Sequence, residues 1–142
     1  MENSRSGGRK RPRSMAVAAV VAIAFGLATI QAGGTVLFGP PQSQRAAGAV
    51  VPFVLWFNFL SGFVYIAAGT GLWLMRRWGF WLAAGLALAI AIVFALFGLH
   101  VAGGGAFEQR TFYALIFRLA VWCGIAAGAC YVYACPRFAA RQ

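Results

Sequence analysis

Polar residues are confined to a few short stretches of the chain, and between them run four apolar segments, residues 15–38, 50–75, 78–100 and 112–134. Each reaches the roughly 20 apolar residues that a helix needs to cross a hydrocarbon core about 30 Å thick. The pattern therefore predicts an all-α membrane protein with four transmembrane helices. The breaks are short. Gly39-Pro40-Pro41-Gln42-Ser43-Gln44-Arg45 cannot continue a helix and predicts an external loop; Arg76-Arg77 marks a tight turn; Gly103-Gly104-Gly105 leads flexibly into Glu108, Gln109 and Arg110. Connections this short make sequential helices neighbours, which gives an up-down-up-down bundle.

Composition removes the alternatives to a membrane. With 62% hydrophobic and 10% charged residues and a mean hydropathy of +0.79, the 142 residues lack the polar surface to cover a soluble globule. Subtracting the spans leaves a basic disordered tail at 1–14, a four-helix domain at 15–136 and a stub at 137–142. No soluble domain fits. The net charge of +10 would suit nucleic acid, but its distribution follows a bilayer instead. Arg5, Arg9, Lys10, Arg11, Arg13, Arg76, Arg77, Arg137 and Arg141 flank one side, nine residues against Arg45 and Arg110 on the other. The positive-inside rule then puts both termini in the cytoplasm (N-in, C-in), with the tail touching anionic lipid and no role in binding nucleic acid. The first apolar run also exceeds a secretory h-region, so it is expected to stay as a span.

Trp73, Trp78 and Trp81 flank the Arg76-Arg77 turn, and Tyr113, Tyr131 and Tyr133 mark the ends of the last span, as an interfacial belt would. Small residues recur every four positions at Ala83, Ala87, Ala91 and Ala95, and at Ala120, Gly124 and Gly128. Such rows let helix backbones approach in lipid, and packing within the bundle is expected ahead of a homodimer. The second and fourth spans also echo each other weakly, aligning Asn58 with Arg118 and Gly69 with Gly128. Cys123, Cys130 and Cys135 read as small packing residues, not as a disulfide. One histidine and no CxxC leave no metal site.

Chemistry is sparse and lies at one level. Asn58 and Arg118 each fall seven or eight residues inside the outer end of their spans, roughly 11 Å deep, while His100 and Glu108 lie at the outer surface. Asn58, Ser61, Gly62, Tyr65 and Gly69 share one helix face, expected to point inward. An arginine at that depth costs about 2.5–3.5 kcal/mol to insert, so Arg118 must face protein, water or a partner. Glu108 is its nearest counter-charge, about 15 Å away along a continuous helix. Two readings follow. In one, Arg118 ties down the outer loop and Asn58 bonds across the bundle. In the other, Asn58, Ser61, Tyr65, His100, Glu108 and Arg118 surround an outward-facing pocket for a quinone, a lipid headgroup or another anion. No second carboxylate and no nucleophile with a base at one depth is present, so autonomous catalysis is not expected.

Asn58-Phe59-Leu60-Ser61-Gly62, Ala67-Ala68-Gly69, Arg76-Arg77-Trp78 and His100 followed by Glu108 resemble the DoxX-like group of four-helix bacterial membrane proteins. The chain departs from that group at Asn58, where an acidic residue is usual, and in having no arginine early in the first span. Gly104-Gly105-Ala106-Phe107-Glu108-Gln109-Arg110-Thr111 also resembles uncharacterised bacterial inner-membrane proteins of this size. The resemblance implies a small accessory subunit of the bacterial inner membrane near respiratory or thiol redox chemistry. The lack of soluble domains and catalytic sets predicts a multi-pass accessory or interaction subunit with a membrane-complex partner or as a homodimer; the alternatives are a redox-linked subunit that binds quinone and a small oligomeric transporter or channel.

Overall fold

The computed structural model describes residues 12–134, and the elements among them are all helical. They are α1 (Arg13–Phe38), α2 (Pro41–Ala47), α3 (Pro52–Trp73), α4 (Arg77–Ala102) and α5 (Gln109–Ala134). The four long helices are apolar enough to cross a membrane, with mean hydropathies from 1.5 to 2.7. Most of the basic tail, Cys135 and the stub at 137–142 lie outside the described residues.

The first connection differs from its sequence reading. Its prolines do not exclude a helix; they begin one. Pro41 stands at the first position of α2, where a missing N–H is not needed, and Gly48, at a φ of 74°, ends the turn in a conformation that favours glycine. Pro52 starts α3 in the same way, two residues later than the apolar run suggested. The last helix also begins earlier than residue 112, because Gln109 and Arg110 are compatible with a first turn.

Lipid gives helices no hydrophobic reason to associate, so their backbones must approach closely enough for dispersion to hold them. α1 and α3 do this most extensively. Ala19, Gly26 and Gly33 recur every seven residues on α1 and meet Gly69, Gly62 and Phe59 on α3, which makes the two helices antiparallel. The fit is tight: a methyl on Gly26 would lie 2.7 Å from the Gly62 carbonyl oxygen, and one on Gly62 would lie 2.6 Å from Ile30 Cγ1. At the turn between α3 and α4, Gly71 packs on Gly79. Larger side chains join α4 to α5, through Phe94 with Phe112 and Phe80 with Tyr133.

α5 meets α1 only sparsely. The row Ala120, Gly124 and Gly128 does not pack within the protomer: all three are exposed, and a methyl on either glycine would touch nothing within 4 Å. Cys123 and Cys130 also face outward, against the expectation that they fill the interior. The echo between α3 and α5 breaks at the same place, since Gly69 is pressed against α1 while Gly128 is open. The α3 face holding Ser61, Gly62, Tyr65 and Gly69 is buried as the spacing predicts.

The buried apolar residues form two clusters. One joins Met15, Ala19, Tyr65, Leu72, Ile90 and Trp122 from all four long helices. The other, nearer the α2 end, joins Val51, Val54, Val93, Phe97 and Leu115. Between the levels of these clusters lie the buried polar residues Thr29 and Ser61.

Gly26→Ala is expected to destabilise the bundle by about 1–3 kcal/mol, because the new methyl meets the Gly62 carbonyl oxygen, which is backbone and cannot swing aside, as well as Ile66 Cγ1 at 2.8 Å. Gly124→Ala, in open space on a helix, is expected to leave stability unchanged or slightly raised. Thermal unfolding in detergent followed by circular dichroism checks the pair; equal melting of Gly26→Ala and wild type would refute the tight seam.

Candidate functional site

α5 diverges from α1 where the bundle carries its polar residues. The gap forms a cavity of about 290 Å³. α1 contributes Thr29 and Gly33 to its wall, α3 contributes Val54 and Asn58, and α5 contributes Arg110, Thr111 and Arg118, with Glu108 just before its first residue. Ala47, the last residue of α2, and Val50 and Val51, from the connection after it, close one end. Two guanidinium groups and one carboxylate leave the wall with one net positive charge.

Arg118 is held from two directions. Its Nη1 donates to Thr29 Oγ1 at 3.3 Å, and its Cζ lies 5.6 Å from the centre of the Phe25 ring. Phe25 stacks in parallel on Tyr65, with ring centres 5.7 Å apart and planes within 1°, and Tyr65 packs on Trp122 at 4.6 Å. The charge therefore rests on an aromatic stack that crosses the bundle from α1 through α3 to α5. Only one of the five guanidinium N–H groups is committed to Thr29, which leaves four to face the cavity or the ring.

Glu108 does not pair with Arg118, although the sequence made it the nearest counter-charge. It accepts the backbone N–H of Ala49 through Oε1 at 3.1 Å. Arg110 works beside it, donating from Nη2 to the carbonyls of Ala46 at 3.0 Å and Ala47 at 3.3 Å. These carbonyls are among those that the end of α2 leaves without helical partners, so the cation also complements the helix dipole. Glu108 and Arg110 together latch the connection after α2 onto the start of α5, over the mouth of the cavity. The latch, and not Arg118, ties down the loop.

The other candidates separate by level. Asn58 lines the cavity, and its Oδ1 is buried without a hydrogen-bond partner. Ser61 lies one turn deeper and donates to the Asn58 carbonyl at 2.9 Å, a local bond within the helix. Tyr65 is fully buried beneath the cavity as part of the aromatic stack; its Oη and the Nε1 of Trp122 are buried without partners. His100 is elsewhere: exposed at the end of α4, with Nε2 3.3 Å from the Ala106 carbonyl oxygen and its ring 6.4 Å from Phe53. The site thus gathers Asn58, Glu108 and Arg118, with Tyr65 below them, and leaves His100 and Ser61 outside.

Sequence reasoning passed over Thr29, Phe25, Arg110 and Thr111. A signal existed for Thr29, the one hydroxyl in the buried α1 row of Met15, Ala19, Ala22, Gly26 and Gly33. Arg110 read only as a topology charge, and nothing local distinguishes Phe25 from its apolar neighbours. Among the described residues, His, Cys, Asp and Glu side chains form no group able to hold a metal ion. Comparison with protein-family models, curated proteins and solved structures returns no match to the chain.

Removing the carboxylate tests the latch. In Glu108→Ala the Ala49 amide loses its acceptor and should exchange with deuterium at least about tenfold faster, the equivalent of one net hydrogen bond, while mid-α3 amides keep their protection. Unchanged exchange at Ala49 would refute the latch.

Proposed function

We propose that the protein is a small bacterial inner-membrane binding subunit, without catalysis of its own, that holds the polar head of a membrane amphiphile in the cavity between α1 and α5. The observation that carries this reading is Arg118: a guanidinium with uncommitted N–H groups, in a cavity, nine residues inside the first residue of an apolar helix. That is about 14 Å along the helix, deeper than a freely hydrated arginine would sit. Pockets that bind small ligands combine apolar walls with a few convergent polar groups, and this one has Val54 and Gly33 beside Asn58, Thr111 and Arg118.

The charges set the orientation. Arg76 and Arg77 at the α3–α4 turn, together with the basic residues of both tails, outnumber Arg45 and Arg110, so both termini are cytoplasmic and the cavity lies in the outer half of the membrane. Its occupant then comes from the outer leaflet.

Arg118→Gln keeps a polar side chain but removes the charge and most of the donors. Native mass spectrometry of wild-type protein released from mild detergent is expected to show a retained amphiphile, with retention in the variant reduced about tenfold or more by loss of charged hydrogen bonds. Equal retention in both proteins would overturn the binding role. For orientation, a reporter fused after Gln142 is expected to read cytoplasmic, and a periplasmic signal would reverse the assignment.

A further inference from the structure

The seam between α1 and α5 does not end at Arg118. Along α5 the cavity wall is Thr111, Ala114 and Arg118, and the same face continues as Val121, Ile125 and Gly128, each three or four residues further on. Along α1 the wall is Val36, Ala32 and Thr29, and its face continues past Phe25 to Val21 and Ala18. Beyond Phe25 the seam opens into an apolar groove of about 490 Å³, with Val17 and Val21 on one bank and Gly124 and Gly128 on the other. A methyl on either glycine would touch nothing within 4 Å. A polar cavity and an apolar groove thus lie in line, with Arg118 at their junction.

The charges define the head that this arrangement fits. At the mouth, Glu108 and Arg110 are of opposite sign, two residues apart, and both are engaged by the connection after α2. Arg118 is the charge left unanswered, which calls for a head with one negative charge. A guanidinium meets a carboxylate through two parallel N–H···O bonds, and four of its N–H groups are not used by Thr29. The Asn58 amide, whose oxygen has no partner, donates through Nδ2 when turned toward the head. A cavity of about 290 Å³ is near the lower limit of ligand sites, roughly 300 Å³, so the head is compact and the rest of the ligand lies elsewhere.

The groove is where the rest fits. From Arg118 to Gly128 is about 15 Å along α5, half of a hydrocarbon core about 30 Å thick and therefore the depth that one leaflet gives a lipid chain. An amphiphile of the outer leaflet points its chain toward the membrane centre, the direction in which the groove leaves Arg118. A second copy of the protein is the other occupant that Gly124 and Gly128 suggest. It would leave Arg118 unanswered, and Val17 and Val21, 62% and 43% exposed, stand beside the glycines and keep a partner helix from closing on them.

We infer that the seam binds a single-chain anionic amphiphile, a long-chain carboxylate, with its head on Arg118 and its chain in the groove between Val17, Val21, Gly124 and Gly128. The inference rests on the binding role proposed above and adds the class of ligand and the path of its chain.

Myristate carrying a photoactivated diazirine near its chain end, added to the full protein in mild detergent, tests both additions. Peptide mass spectrometry after illumination is expected to find adducts concentrated on Val17 and residues 124–128, and few on the exposed α4 face of Leu88, Ile92 and Leu96. Arg118→Gln is expected to reduce this labelling about tenfold by loss of the charged hydrogen bonds. Gly124→Leu fills the groove. It is expected to move the label off residues 124–128 while myristate retention stays within about threefold of wild type, since detergent holds the chain as well as the groove does and the Arg118 contact is intact. Labelling spread evenly over the seam and the α4 face, or unchanged in Gly124→Leu, would overturn the chain path and leave the binding role standing. So would a retained two-chain lipid with no myristate bound. A dimer in native mass spectra that Gly124→Leu dissociates, with the seam unlabelled, would overturn the inference and give the face to a second copy. Failure of wild type to retain any amphiphile, with Arg118→Gln indistinguishable from it, would overturn both readings.

Discussion

The backbone contact between α1 and α3 is the constraint on which the rest of the bundle depends. In water, burying apolar side chains would hold such helices together almost regardless of detail. In lipid that drive is absent, and association has to come from closeness. Gly26 and Gly62 supply it by letting one helix's carbonyl approach the other's Cα, and Ala19, Gly33 and Gly69 repeat the arrangement every seven residues. The seven-residue spacing keeps the contact along a gently crossing pair. Within this unit the remaining helices have fewer places to approach as closely.

α5 is attached by different means. It meets α4 through aromatic rings and meets α1 chiefly through Arg118 on Thr29 and Phe25, with Phe117 edge-on to the same ring at 5.7 Å. Side chains of this size hold helix axes apart. The cavity follows from that mismatch: three helices are drawn close by small residues, and the fourth is propped off α1 by large and polar ones. The same mismatch leaves Ala120, Gly124 and Gly128 open toward the other end of the seam.

The four spans were legible because apolar run length is a direct consequence of bilayer thickness, and the inward face of α3 because glycine, serine and tyrosine recur at helical spacing. The role of each small-residue row was not legible. Gly62–Gly69 and Gly124–Gly128 look alike in sequence, yet one row is buried and the other exposed, since the difference lies in which helix stands opposite. Prolines 40 and 41 misled for a local reason: proline forbids the interior of a helix but suits its first turn. For the site, depth alone grouped Asn58 with Arg118, because both belong to regular helices of known rise. It failed for His100 and for the pairing of Glu108 with Arg118, since both His100 and Glu108 lie at helix ends where backbone direction decides what a side chain reaches. Glu108 turns to the Ala49 amide, and His100 to the loop that begins α5.

The balance at Arg118 bears on why it is there at all. Inserting an arginine at this depth costs about 2.5–3.5 kcal/mol. Its bond to Thr29, at 3.3 Å, is long for a charged pair and returns about 1 kcal/mol; the approach to Phe25 adds about 0.5–2 kcal/mol. Gain and cost nearly cancel. As a tie between α5 and α1, then, Arg118 does no better than the leucine that would insert without cost and pack on the same ring. The stack of Phe25, Tyr65 and Trp122 would join the helices without it. What leucine could not supply is the set of N–H groups left over after Thr29. A residue that is neutral for stability but supplies donors to a cavity is placed for whatever occupies that cavity, which is why the binding reading accounts for Arg118 better than the structural one.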